Sequence, residues 1–523
     1  MRFDRGCRIR RLLPWLFCLL FLGLTASRLL LPAFGTFSDD GVYISTARSL
    51  AQGRGYAIDT LPGAPPNTKY PPLHSAILAL VFAAGVELPG AVFWLKLPAF
   101  LFLLAWLAAL FLLVRELGLS RAGAGWVLAC TLASEMVAYC ATQALSDVPF
   151  AALATWTLLW MVREESSRSE SMRRGALTGA LAGLASLARS QGVVMVAAAV
   201  LLLGFRRRFR AGMVGLAAAT ALYGPWVFWQ GMQGLPEEPL QLYYSAASYR
   251  TWWAWRVGNL AEGAWVVLLN FLLTLAAPAQ AAGIRNAALA VATGSVVWIA
   301  AAMAWRRCGR PVLPLLVSTV GMVTLLLVWT WLPGRMLLAT VPLLFVLIAC
   351  GSNSGRFQPI VAAAALLYCA AGLVNAAAAT WMSHRDGNAP LGGWPGDRWV
   401  TLQSLSGWLK QHTPPDTVVG SLQDGALPLL AGRPVIFPAV RRPAALIYGA
   451  PGPPLGTVTE MAGHLRRNNI AYLVLTPLQA FGESRHYREL VDTLRSVYPG
   501  SVEQVHQPEP DYMILRVHVG KLR

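Results

Sequence analysis

The chain is predicted to be a polytopic α-helical membrane protein of about eleven transmembrane helices, followed by a small extracytoplasmic α/β domain. Three observations predict this. Of its 523 residues, 56% are hydrophobic and only 13% are charged, which is too apolar for a soluble chain of several domains. The apolar residues collect in runs close to the roughly 20 residues that cross a bilayer. The arginines behind the formal charge of +18 cluster in short segments between those runs, as cytoplasmic loops do. Topology thus accounts for the charge, and nucleic acid is not expected as a partner.

Arg2, Arg5, Arg8, Arg10 and Arg11 precede an apolar run from Leu12 to Phe34. The run is long and lacks a clear small-residue cleavage site, so it reads as an uncleaved first span with a cytoplasmic N-terminus. The chain then emerges into an outer loop, residues 35–72. Within it Gly41–Gln52 reads as a short helix, and Pro62, Gly63, Pro65 and Pro66 mark irregular chain. Leu73–Ala84 is too short to cross comfortably and is expected to lie at the interface.

Spans are expected at Ala91–Val114, Ala122–Tyr139, Phe150–Val162, Gly175–Ala188, Gly192–Phe205 and Ala211–Trp229. Arg163, Arg168, Arg173, Arg174 and Arg206–Arg208 mark their cytoplasmic turns. A long outer loop, residues 230–282, carries Glu237-Glu238 and the aromatic run Tyr243–Trp255. Its apolar piece, Trp265–Leu275, is expected not to cross, because crossing would place Arg306, Arg307 and Arg310 outside. Ala287–Trp305, Pro311–Trp331, Met336–Cys350 and Ile360–Trp381 complete the spans.

The transmembrane domain is placed at residues 1–382 and the soluble domain at 383–523. In the latter, Val418-Val419, Val435–Phe437, Ala471–Leu475 and Met513–Val517 read as strands. Val400–Gln411, Val458–Asn468 and Tyr487–Tyr498 read as helices. The seven cysteines and seven histidines show no metal-ligand spacing, and they receive no role.

Span parity turns scattered polar residues into one constellation. Asp39, Asp40, Lys69, Asp147, Arg189 and Arg335 all fall at outer span ends or in outer loops. Ionisable residues there are costly, which makes their gathering on one side a functional signal. Lysine occurs only at positions 69, 96, 410 and 521, so Lys69 stands out. Carboxylates with cations suit group transfer from a phosphate-linked donor. A base such as Asp39 removes the acceptor's proton, and Lys69, Arg189 or Arg335 stabilises the departing phosphate. A divalent cation held by Asp39, Asp40 or Asp147 is an alternative source of that stabilisation, and sequence leaves the two open.

Bland readings stand beside these. Asp39, Asp40 and Asp147 could simply cap helices. Lys69, Arg189 and Arg335 could anchor at lipid headgroups, and the Tyr243–Trp255 run could be an interfacial belt.

Phe37-Ser38-Asp39-Asp40-Gly41-Val42-Tyr43, followed by Ala47-Arg48-Ser49-Leu50-Ala51-Gln52-Gly53, resembles the first-loop signature of the GT-C membrane glycosyltransferases. These include the protein O-mannosyltransferases, the lipid A aminoarabinose transferases and related bacterial enzymes acting on polyprenyl-phosphate sugars. Many members carry Asp-Glu where this chain carries Asp39-Asp40. Lys69-Tyr70-Pro71-Pro72-Leu73 resembles their Lys-Pro-Pro-Leu element, with a tyrosine inserted. Ser146-Asp147-Val148-Pro149 is similar to their acidic second outer loop. Ala188–Gly192 and Pro333–Pro342 resemble their outer arginine motifs.

The resemblance spans roughly residues 10–380. It implies a GT-C-like fold in the cytoplasmic membrane of a cell envelope. It also implies a polyprenyl-phosphate-linked sugar donor used on the extracytoplasmic side, with inversion at the anomeric carbon. Asp39 would then be base or metal ligand, assisted by Asp40 and Asp147, with Lys69, Arg189 and Arg335 on the donor phosphate. The acceptor, whether glycan, lipid or protein, is not implied. The rival readings are a flippase for a lipid-linked sugar and a non-catalytic envelope assembly protein.

Overall fold

The computed structural model of the chain describes residues 5–167, 170–234, 244–245, 247–329, 333–352, 358–388, 397–440, 442, 445, 452–477 and 483–523. Arg2, Arg168, Glu237, Glu238, Tyr243 and Trp331 lie outside these residues.

The N-terminal part is a helical bundle. Eight of its described helices are long and apolar enough to cross a membrane, or nine if the pair α5 (Arg121–Leu132) and α6 (Glu135–Ala141), bent by 75°, is one span. The expected eleven included α7 (Asp147–Ser166), α8 (Met172–Ala188) and α9 (Val193–Phe205). At 1.5 Å per residue, α8 and α9 extend only about 25 and 20 Å, against a hydrocarbon core of about 30 Å. Helix α7 is long enough but ends in Arg163, Glu164 and Glu165, which dilute its hydropathy.

A second difference concerns residues 260–281. The sequence places an interfacial piece at Trp265–Leu275, whereas the structure has a helix, Leu260–Ala281, whose length and hydropathy would suffice to cross. At its centre Asn270 donates to the carbonyls of Leu326 and Trp329, at 3.1 and 3.2 Å. Those carbonyls leave helix Leu313–Leu327 shortly before Arg335. The middle of this helix therefore lies beside the end of the bundle that carries Arg335.

Helix α2 (Asp39–Ala51) follows the first span and packs against α3 (Leu73–Ala83). Together they cap one end of the bundle. The chain turns into α2 through Gly35 and Ser38, both with positive φ (68° and 70°), a strained backbone for serine. Helix α7 starts at the same end with Asp147 in its first turn and Pro149 just behind it, where an acid meets the helix dipole and a proline costs no hydrogen bond.

The C-terminal part is a five-stranded sheet in the order β2-β1-β3-β5-β4. Strands β1 (Val418–Ser421), β2 (Val435-Ile436) and β3 (Ile470–Leu475) run parallel. Strands β5 (Tyr512–Val517) and β4 (Val502–Glu509) complete it antiparallel. Strand β4 has no counterpart in the sequence reading. It is an edge strand with little buried surface, so it shows no apolar alternation to read.

The sheet domain is fused to the capping layer. Phe34, Tyr43 and Ile44 share a buried cluster with Trp399, Leu402, Leu427 and Val474, and Val435 donates its backbone N–H to Thr60 O at 3.1 Å. The backbones touch at Gly41, where an added Cβ would fall 2.3 Å from Gly425 Cα. Backbone cannot yield as a side-chain tip can. Gly41→Ala is expected to lose about 1–3 kcal/mol of stability, the usual range for overpacking, read as a lower thermal midpoint.

One buried carboxylate in this domain makes a pH prediction. Asp397 accepts a hydrogen bond from Gln423 Nε2, and burial lifts its pKa from 3.8 to about 6. The folded protein takes up this proton before the unfolded chain does, so the group's contribution to stability is largest at low pH and is lost as pH rises through about 6. Thermal midpoints of wild type and Asp397→Asn, compared at pH 5 and 7, should show this component of the pH dependence only in wild type.

Candidate active site

At the capped end of the bundle, four charged side chains from four separate elements converge. Asp39 opens α2, Asp147 opens α7, Arg189 follows α8, and Arg335 lies in the short 3-10 turn Gly334–Leu337 before helix Val341–Ser352. Arg335 bridges the two acids. Its Nη2 donates to Asp39 Oδ2, and its Nη1 lies 3.3 Å from Asp147 Oδ2. Arg189 Nη1 meets the same Asp147 oxygen at 2.8 Å. Asp147 is 2% exposed, while Asp39, Arg335 and Arg189 keep 16%, 11% and 11% of their side-chain surface. The acid held by two guanidiniums is thus inside, and the acid held by one is the more accessible.

Aromatic side chains frame the cluster. Tyr70 OH donates to Asp39 Oδ1, so both oxygens of that carboxylate are engaged. The Arg335 guanidinium stands 4.1 Å from the Phe37 ring centroid, which is cation–π range. Tyr43 OH and Ser146 Oγ are 2.6 Å apart, and Arg189 Nη1 reaches Ser146 Oγ at 3.5 Å. The rings of Tyr70 and His74 lie 5.1 and 5.0 Å from that of Tyr43. Lys69 is buried, with Nζ 5.5 Å from the Tyr70 ring centroid, so it lies at the edge of the cluster through Tyr70.

Asp40 stands apart. It is fully buried, and its Oδ1 accepts the backbone N–H groups of Phe37 and Gly41 at 2.9 and 3.1 Å. Burial raises its pKa; the N–H groups of Phe37, Gly41 and Gly35 and the charge of Lys96 act in the opposite direction. The two adjacent acids therefore face different partners, and the helix-cap reading describes Asp40 better than Asp39.

This arrangement does not fit the divalent cation considered for Asp39 and Asp40. Their carboxylates do not converge, and Asp39 and Asp147 are already met by guanidinium groups that would repel a cation. Among the described residues, no group of three or more His, Cys, Asp or Glu side chains is placed to hold a metal.

Sequence reasoning did not give Tyr70, Tyr43 or Ser146 a place in the site. Tyr70 is the residue inserted between Lys69 and Pro71, and Tyr43 ends the Asp39 motif, so position within a motif was the available signal. A buried Arg28 that donates to both Glu135 oxygens and to Thr380 Oγ1 also went unread. It ties the first span to α6 and to helix Gln358–Asp386.

Residues 69–229 match the family described as dolichyl-phosphate-mannose-protein mannosyltransferase. No curated protein sequence matches the chain. Among solved structures, ArnT from Cupriavidus metallidurans bound to undecaprenyl phosphate aligns at 15% identity with a TM-score of 0.60, covering 96% of this chain and 97% of that one. The Archaeoglobus fulgidus oligosaccharyltransferase in complex with Zn and sulfate aligns at 15% identity and TM-score 0.58, covering 95% and 72%. AglB from Archaeoglobus fulgidus, in complex with an inhibitory peptide and a dolichol-phosphate, aligns at 13% identity and TM-score 0.56, covering 96% and 74%. The helical bundle, the capping layer and the small sheet domain together give this chain the GT-C fold of the membrane glycosyltransferases.

Proposed function

We propose that the chain is an inverting glycosyltransferase that moves a sugar from a polyprenyl-phosphate carrier to an acceptor on the extracytoplasmic side of the cytoplasmic membrane. The observation that carries this reading is Arg335 bridging Asp39 and Asp147, with Arg189 on the far side of Asp147. A phosphate arriving between the arginines is the natural competitor for those carboxylates, because guanidinium forks match phosphate as well as carboxylate.

The reaction follows from that competition. The donor phosphate draws Arg335 from Asp39, which becomes a free base still oriented by Tyr70. The acceptor hydroxyl oxygen attacks the anomeric carbon and a new C–O bond forms. The bond from that carbon to the phosphate oxygen breaks, and its electron pair leaves with the phosphate. Asp39 takes the hydroxyl proton, while Arg335, Arg189 and Lys69 stabilise the charge gathering on the phosphate. Asp147, held from two sides, keeps the arginines aligned. The undecaprenyl phosphate bound to the similar ArnT and the dolichol-phosphate bound to the similar AglB support this donor class.

Sidedness rests on charge. The site and the sheet domain share one end of the bundle. At the far end of α7, Glu164 and Glu165 are met by Arg174, Arg206 and Arg208, the basic turns expected in the cytoplasm. The flippase reading lacks comparable support, because the cluster of Asp39, Arg335, Asp147 and Arg189 lies at one end of the bundle and not at its midplane.

The test is a transfer assay in proteoliposomes with a panel of radiolabelled polyprenyl-phosphate sugars and candidate glycan, lipid and protein acceptors. Release of polyprenyl phosphate in step with labelling of an acceptor supports the reading. Movement of the intact donor across the bilayer without transfer would replace it with the flippase.

A further inference from the structure

We propose that Asp40 and Lys96 form a buried clamp that closes the two ends of the loop carrying Asp39 and so positions that base for transfer. The inference rests on the proposed transfer reaction, and it gives Asp40 and Lys96 positioning roles without contact to substrate.

The loop leaves the first span near Leu31 and enters α2 at Asp39. Lys96, on α4 (Val92–Glu116), is 1% exposed, and its Nζ donates to Leu31 O at 2.7 Å. This holds the beginning of the loop. Asp40 is 0% exposed, and its Oδ1 takes the N–H groups of Phe37 and Gly41. That holds the end of the loop and the first turn of α2.

The other oxygen, Oδ2, is buried with no hydrogen-bond partner among the described residues. A buried carboxylate short of one partner depends on a compensating charge, and electrostatic attraction links Asp40 to Lys96. Between the two anchors the chain adopts positive φ at Gly35 and Ser38, a conformation it would not hold unaided. Because Asp39 and Asp40 are adjacent, fixing one carboxylate inward directs its neighbour toward Tyr70 and Arg335.

Two buried opposite charges that compensate one another without direct contact have a signature that a simple packing role lacks. Removing one partner strands a charge, while replacing both by neutral groups is far less damaging. The experiment therefore compares Lys96→Met, Asp40→Asn and the double variant, reading amide hydrogen exchange at Phe37 and Gly41 together with kcat and KM for sugar transfer.

Each single variant is expected to speed exchange at these two amides at least about tenfold and to lower kcat by about 100-fold with KM within about twofold, the scale of a base displaced by about 1 Å. Exchange within α7 should stay unchanged. The double variant is expected to regain about tenfold of the lost kcat and much of the amide protection.

Unchanged exchange in Lys96→Met would overturn the inference, as would losses that multiply in the double variant. If wild type transfers no sugar, the proposed reaction fails, and amide exchange alone still decides whether the clamp exists.

Discussion

Asp39→Asn is expected to lower kcat for sugar transfer by about 10²–10⁴-fold, the usual contribution of a general base, with the thermal midpoint within a few degrees of wild type. Asparagine keeps the shape of the side chain and can still accept the Tyr70 hydroxyl hydrogen bond. It cannot take a proton from the acceptor. Folding should persist because Asp39 is partly accessible and its ion pair joins groups that retain other partners. Arg335 keeps Asp147, and Asp147 keeps Arg189. Single-turnover transfer with donor bound, alongside thermal denaturation, checks both halves of the expectation. A scaffold would show no change in whatever activity its complex has.

Arg335→Met is expected to lower kcat/KM by about 10²–10³-fold, the scale seen when one preorganised donor to a developing negative charge is removed. The loss should divide between weaker donor binding and slower chemistry, because the same guanidinium meets the phosphate before and during bond cleavage. Methionine preserves length and apolar contact, including the packing against Phe37. Arg335→Lys should recover only part of the loss, since an ammonium replaces a two-armed fork with a point charge. Steady-state kinetics over a range of donor concentrations separate the two components.

Much of the site could be read along the chain because span parity is a strong constraint. It put Asp39, Asp147, Arg189 and Arg335 on one side, and the structure brings those four into contact. What parity cannot supply is distance or direction. Asp39 and Asp40 are neighbours with equal claims in the sequence, and only the positive φ at Ser38 and the backbone N–H groups around Asp40 separate an accessible acid from a buried one. Tyr70 was visible as an insertion between Lys69 and the prolines; its hydroxyl reaches Asp39 because the loop folds back over α2.

Lys96 was invisible for a different reason. A lysine inside an apolar run looks like a snorkelling residue until its carbonyl partner, Leu31 O, is located. Span counting faltered where helices are short. Alanine- and glycine-rich α8 is tightly packed against α10 (Phe209–Met232), with an added Cβ at Gly179 only 1.9 Å from Gly215 O. In such a helix hydropathy is traded for close approach. The piece around Trp265 differs in extent, since it belongs to a helix, Leu260–Ala281, beside the site end that meets the length criterion of a span whether or not it crosses.

The central claim is that the donor phosphate and Asp39 compete for Arg335, and donor affinity in Asp39→Asn tests it most directly. The measurement is the Kd of a radiolabelled polyprenyl-phosphate sugar for wild type and Asp39→Asn in proteoliposomes without acceptor. The account predicts tighter binding by Asp39→Asn, at least several-fold, because Arg335 no longer has to leave a carboxylate, together with loss of turnover once acceptor is added. Weaker donor binding by Asp39→Asn, or turnover at the wild-type rate, would contradict it.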